Sequence, residues 1–134
     1  VADRLDVGVA PAVLPLLQEW KRRNRERPQC AEAILYRAIK AAVDTVLSSA
    51  EKVDAPQHKL RAPLTNVCRL KPGPASRYRL FFIFSLKHRK SIVLWIGFRK
   101  EGDRKDAYTQ FTKMLQKGTF DEQFRELEIP IPKG

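Results

Sequence analysis

Two pairs of cations stand at strand spacing. Arg69 and Lys71 are two residues apart, and so are Arg77 and Arg79. In an extended chain, residues i and i+2 point to the same side, so each pair presents two charges on one face. If the two strands pair through the turn between them, the four cations line one patch. Arg99, at the end of the next apolar run, closes it. Such a patch can hold a phosphate and stabilise the extra charge of a pentacoordinate phosphorane. RNA brings its own nucleophile, the 2′-hydroxyl. Cutting it needs only in-line positioning, a proton acceptor, a proton donor and cations, so this reading calls for no metal and no cofactor.

Other side chains have two readings each. His58 precedes the basic stretch Lys59-Leu-Arg61 and fits either a general base or an ordinary surface histidine. Tyr108 lies on an apolar helical stripe, where it either packs in the core or presents a hydroxyl to a phosphate. Arg77 and Arg79 could equally be a solvated sheet face. Lys87, His88, Arg89 and Lys90 read as a solvated turn, and Arg22–Arg27 as a solvated helix end able to touch RNA non-specifically. Other chemistries lack their residues. There is no glycine-rich phosphate loop and no serine in a nucleophile elbow. Glu101 and Asp103 are the only acids near the cations, too few for two-metal phosphoryl chemistry. No Cys/His cluster has zinc spacing.

The charge distribution points the same way. Of 134 residues, 26 are Lys or Arg and 15 are Asp or Glu, for a net charge of +11. Residues 57–105 hold thirteen of those bases and only two of the acids, so the whole net charge lies in that block. A local excess argues for a polyanionic partner more strongly than an overall basic composition does. Hydrophobic residues make up 43%, a globular composition. The longest apolar runs, 80–84 and 92–98, are far short of the ~18 residues of a membrane span. Two cysteines, Cys30 on an apolar stripe and Cys68 in an apolar strand, read as buried free thiols in a reducing cytoplasm.

The elements that must carry these residues follow from periodicity. Val13, Leu16, Leu17 and Trp20 predict a helix over 11–27 that Pro28 ends. The pairs Ile34/Leu35, Ala38/Ile39, Ala42/Val43 and Val46/Leu47 predict a second helix over 29–51, and the two form a helical hairpin. Residues 53–65 read as loop. Strands are expected at 67–71, 77–86 and 91–99, the last apolar on both faces as a central strand should be. Pro72-Gly73-Pro74 and 87–90 are their turns. Asp106 as N-cap and Gly118 just past the end bracket a helix, and a short helix over 120–127 follows. The expected architecture is a single α+β domain: an N-terminal helical hairpin on a small antiparallel sheet, a C-terminal helix, and peripheral tails at 1–10 and 128–134.

These motifs resemble a known superfamily. Lys59-Leu-Arg61, the strand Cys68-Arg-Leu-Lys71 and Arg77-Tyr-Arg-Leu-Phe-Phe82 are similar in order and spacing to RelE/ParE toxins. The segment Lys105-Asp-Ala-Tyr-Thr-Gln-Phe-Thr-Lys-Met-Leu115 resembles the signature of the YhaV family within it. The resemblance implies a RelE-like type II toxin, a metal-independent mRNA interferase acting on the ribosome in the cytoplasm. Its partner would be a PrlF-type antitoxin with an AbrB-like DNA-binding domain, and the complex would bind its own operator DNA. Arg79 matches the arginine of the Tyr-Arg-Leu strand, Arg69 and Lys71 the preceding basic pair, Arg99 the arginine after the last strand with Arg104 as alternative, and Tyr108 the C-terminal tyrosine. RNA contacts would then fall to Arg77, Lys59, Arg61, His58, Arg104 and Lys105. Two alternatives stay open: a non-catalytic RNA- or ribosome-binding inhibitor of translation, and a gyrase inhibitor of the ParE branch. Arg, Lys and Tyr are poor general bases at neutral pH, which implies weak cleavage of naked RNA.

Overall fold

The computed structural model describes residues 3–73 and 77–132. Part of the expected turn after Pro72, and the last two residues of the C-terminal tail, lie outside them. The chain runs β1 (Asp6–Val9), α1 (Leu14–Glu26), α2 (Ala31–Ala42), a π-helical turn (Val43–Leu47), α3 (Ala50–Val53) and a 3-10 turn (Pro56–His58). β2 (Cys68–Leu70), β3 (Tyr78–Ser85), β4 (Lys90–Phe98), α4 (Ala107–Gln116) and α5 (Asp121–Glu126) follow.

The fold class is α+β, with one four-stranded sheet in the order β1-β4-β3-β2. β2, β3 and β4 pair antiparallel, as consecutive strands on short turns should. The fourth strand was expected as tail. Asp6–Val9 pairs parallel with Lys90–Val93, which makes the sheet mixed. Leu5 and Ala10, at either end of β1, are both buried and anchor it. Leu5, Val7 and Val9 alternate over only five residues, too short a run to announce an edge strand. With β1 in place, β4 is central, which explains its apolar residues on both sides.

The sheet separates two cores. On one face Leu80, Phe82, Val93 and Ile96 meet Val13, Trp20, Leu35 and Ile39 of the helical hairpin. On the other, Phe81, Ile83, Ile92 and Leu94 meet Phe111, Leu115, Phe120 and Phe124 of α4 and α5. A bulge lets both faces fill: Phe81 pairs with Trp95 and Phe82 with Val93, leaving Leu94 as the extra residue, aimed at the α4 side.

The second helix is shorter than its periodicity implies. It gives way to a π turn at Val43, and the stripe is one residue narrower than expected, because Ile34 is 55% exposed. Thr45 Oγ1 and Ser48 Oγ each donate to the carbonyl four residues back, a competition that loosens helices. Cys30 is the half-buried N-cap residue of α2 rather than part of an apolar stripe, whereas Cys68 is buried as expected; both thiols are free.

The acidic C-terminus packs away from the cationic strand ends. Glu126 meets Lys90, and Glu128 meets Lys87 and approaches the His88 ring. These are the residues of the β3–β4 turn, at the opposite end of the hairpin from Arg77 and Arg99. Among the described residues no helix is long and apolar enough to cross a membrane.

Candidate active site

The cations arrange themselves by strand register. Arg69 lies directly across from Phe81, and Phe81 across from Trp95, so these three form one row on the α4 face of the sheet. In the next row Arg79 faces Gly97. Beyond the strand ends the Arg99 N–H donates to the Arg77 carbonyl at 2.7 Å, continuing the ladder. Arg79 therefore shares a face with Phe81, Trp95 and Arg69, and its Nη1 donates to the Tyr78 carbonyl at 2.9 Å.

Gly97 has a steric reason. A Cβ there would come within 3.0 Å of the Ala107 Cβ and 3.1 Å of its Cα. The missing side chain lets the first turn of α4 lie directly on β4, which delivers Tyr108 to the arginines. Trp95 Nε1 is buried beneath this contact with no hydrogen-bond partner.

Asp106 assembles the centre. It is 2% exposed and accepts three hydrogen bonds: from Arg99 Nη1 at 2.5 Å, from the Lys100 amide at 2.6 Å and from the Tyr108 amide at 3.0 Å. The last is the expected N-cap of α4. Burial opposes the charged form of this carboxyl, but the two amides and the Arg99 guanidinium outweigh it and hold its pKa below the ordinary value. So tethered, the Arg99 guanidinium lies over the Tyr108 ring, 4.7 Å from its centroid. The Tyr108 ring in turn stands edge-on to Phe81 at 5.2 Å. Tyr108 thus packs against the core, as one of its two readings has it, and its ring also lies under the Arg99 guanidinium.

Arg77, Arg79, Arg99 and Tyr108 come together at this end of the sheet. Arg77 is exposed, donates to the Arg99 carbonyl and sits over the Phe98 ring. Arg104 and Lys105 are exposed in the loop that joins Arg99 to Asp106. The other candidates gather at the outer edge, around β2. Arg69, Lys71 and His58 line a cleft of about 490 Å³ between that edge and α2. The His58 ring is half-buried, edge-on to Phe82, with the Arg69 carbonyl nearby; burial pushes its pKa down. Lys59 continues the β2 edge through a bridge to Cys68 and pairs with Asp54 at 3.1 Å, and Arg61 is exposed in the loop beyond. Among the described residues no three His, Cys, Asp or Glu side chains converge.

Sequence reasoning placed Asp106 as a helix cap and missed its grip on Arg99. A seven-residue separation across a charged loop carries no periodic signal. It also missed Trp95 and Gly97, whose roles depend on the register of β3 with β4 and on where α4 lands.

Comparisons with known proteins place the chain in a family. Residues 15–130 match the family model described as "Toxin with endonuclease activity, of toxin-antitoxin system". A 54-residue stretch is 46% identical to the Ribonuclease toxin YhaV of Escherichia coli strain K12 and equally to the Toxin YhaV of Escherichia coli O157:H7. That stretch is 37% of this chain and 34% of each relative, so the chain spans about a third of the curated relatives it matches. No solved structure matches significantly. With the family model covering both helices of the hairpin, strands β2 to β4 and the C-terminal helices, the chain belongs to the YhaV family of toxins.

Proposed function

We propose that this chain is the toxin of a type II toxin–antitoxin system and an endoribonuclease whose reaction runs on the Arg77, Arg79, Arg99 and Tyr108 cluster. The observation that carries the reading is the buried Asp106, which fixes Arg99 over Tyr108 beside the strand that bears Arg79. A protein with a merely solvated basic face has no reason to bury a carboxylate for orienting one arginine.

In this reading the 2′-hydroxyl of a bound nucleotide passes its proton to a solvent water as its oxygen attacks the adjacent 3′-phosphorus. The 2′-O–P bond forms and the P–O5′ bond breaks, leaving a 2′,3′-cyclic phosphate and a free 5′-hydroxyl. Arg79 and Arg99 stabilise the charge that builds on the phosphorane, and Arg69 and Lys71 hold the flanking phosphate. The Tyr108 hydroxyl delivers a proton to the departing O5′. Arg77, Lys59, Arg61, Arg104 and Lys105 bind the strand through its phosphates. No side chain of this set is a ready base at neutral pH, which favours cleavage on the ribosome, in the cytoplasm, over cleavage of naked RNA. Neutralisation by a PrlF-type antitoxin, and operator binding by the pair, complete the proposal.

The test is to map 5′ ends by primer extension after adding the protein to programmed ribosomes, with naked RNA alongside. New ends inside the A-site codon in the ribosome lane alone support the proposal. Arg79→Ala should lower cleavage by about 10²- to 10³-fold with an unchanged melting temperature. Blocked translation with intact mRNA would replace it with the non-catalytic reading.

A further inference from the structure

The proposed reaction hands the 2′-hydroxyl proton to a solvent water, and none of Arg77, Arg79, Arg99 or Tyr108 is a base that can take it on at neutral pH. The loop from Arg99 to Asp106 carries three carboxylates. Two of them are engaged in shaping the loop. Asp106 is buried and accepts three hydrogen bonds. Asp103 Oδ1 accepts from the Lys105 amide at 2.7 Å. The third is Glu101, whose side chain is 80% exposed.

The local backbone brings Glu101 back to Arg99. The Asp103 N–H donates to the Lys100 carbonyl at 3.0 Å, closing a turn with Glu101 second and Gly102 third. Gly102 has a φ of 78°, the conformation that favours glycine at the third position of such a turn. Glu101 Oε1 then lies 3.5 Å from Arg99 Nη2, while Asp106 holds Nη1 at 2.5 Å. The two contacts differ in kind. The short one to a buried carboxylate fixes the guanidinium. The long one is at the surface, where an ion pair adds little to stability, and it leaves the Glu101 carboxylate open to another partner.

We infer that Glu101 is the general base of the proposed cleavage. The inference rests on that reading of the arginine–tyrosine cluster. The entering and leaving oxygens are in line across phosphorus, so acid and base must flank the group that holds the phosphoryl oxygens. Arg99 is flanked in this way: the Tyr108 ring lies against its face and Glu101 at its Nη2 edge. With a phosphoryl oxygen on Arg99, the 2′-oxygen bonded to the same phosphorus comes within one water of Glu101. The 2′-O–H bond breaks and its proton passes through that water to Glu101 Oε1. The 2′-O–P bond forms, the P–O5′ bond breaks, and O5′ takes the Tyr108 proton. Glu101 afterwards gives its proton to solvent and Tyr108 recovers one, so protons balance over the cycle. The exposed loop leaves this base unfixed until the ribosome packs around it, which keeps naked RNA a poor substrate.

Glu101→Gln tests the inference by removing the acceptor and keeping the shape. In single-turnover cleavage on programmed ribosomes it should lower the rate by about 10²-fold or more, with an unchanged melting temperature. Its affinity for an RNA strand 2′-O-methylated throughout, which cannot be cleaved, should not weaken. Asp103→Asn removes an equal charge from the same loop and should cleave at the wild-type rate. Glu101→Ala should regain cleavage in sodium formate but not in equal sodium chloride, because a diffusing carboxylate can replace a base and cannot replace a loop contact. A Glu101→Gln rate within about threefold of wild type, far short of a lost general base, overturns the inference. So does faster cleavage with tighter RNA binding, which would make Glu101 a competitor of the phosphate for Arg99. A loss in Glu101→Ala that formate leaves untouched overturns it as well, and reduces Glu101 to a loop contact. Absence of A-site cleavage by wild type sinks the proposed function and this inference with it. Wild-type cleavage that survives Glu101→Gln sinks the inference alone.

Discussion

Replacing Asp106 with alanine removes one buried carboxylate and three hydrogen bonds. The α4 N-cap accounts for about 1 kcal/mol, and the Lys100 amide, left without its acceptor, for about another 1. Arg99 loses its counter-charge. Breaking a fully buried pair costs roughly 3–5 kcal/mol, but the Arg99 side chain is 28% exposed, so water recovers most of that and about 1 kcal/mol remains. The total is about 3 kcal/mol. For a domain of this size roughly 4 °C accompanies each kcal/mol, so the melting temperature should fall by about 10 °C. Asp106→Asn keeps one acceptor oxygen for the Tyr108 cap but loses the charge and turns its N–H₂ toward the Lys100 amide, so it should cost about two-thirds as much. Its gap from wild type should depend on pH with a definite sign. The Asp106 pKa is lowered from its ordinary value of 3.8, so its stabilisation is present above that value and lost as pH falls through the folded pKa. Thermal unfolding by circular dichroism at pH 7 and near pH 3 measures both. Cleavage should fall in the Asn variant more than stability does, because Arg99 is no longer held over Tyr108. A melting temperature within 2 °C of wild type for Asp106→Ala, or an Asn variant with full activity, would refute the assignment of Asp106 as the residue that positions Arg99.

Three further outcomes follow from the packing. Gly97→Ala puts a Cβ 3.0 Å from that of Ala107, so it should destabilise by about 1–3 kcal/mol in urea unfolding and lower cleavage by lifting Tyr108 from the arginines. Phe124→Ala empties a fully buried site under α5 and should cost about 3–5 kcal/mol; a stable, active chain ending at Gly118 would contradict the placement of α5 in the core. The Cys68 thiol, pushed up to about 11 by burial, should resist maleimide at neutral pH while Cys30 reacts, and both should react in denaturant.

How much of this was legible beforehand depends on the range of the interaction. Strand alternation in Tyr78–Ser85, the two-faced apolar run in Lys90–Phe98, and the Asp106 and Gly118 brackets around α4 are local signals, because backbone periodicity and capping act within a few residues. They were enough for the α+β class and for pairing the cation-bearing strands. The excess charge in 57–105 was equally plain, since composition needs no fold to be counted.

Everything set by contacts between distant segments waited for the tertiary structure. The edge strand Asp6–Val9 exists because β4 offers it hydrogen bonds and two cores bury its flanks; its own sequence is too short to insist on a strand. The candidate cations divide between a sheet-end cluster and an edge cleft, because pleat and register assign each side chain its place. Asp106 became the anchor of Arg99 only when a bare glycine let α4 settle on β4. Residue types and spacing determine which charges this chain can muster. Which of them meet is decided by close packing across the sheet, and that depends on pairs of residues far apart in the chain.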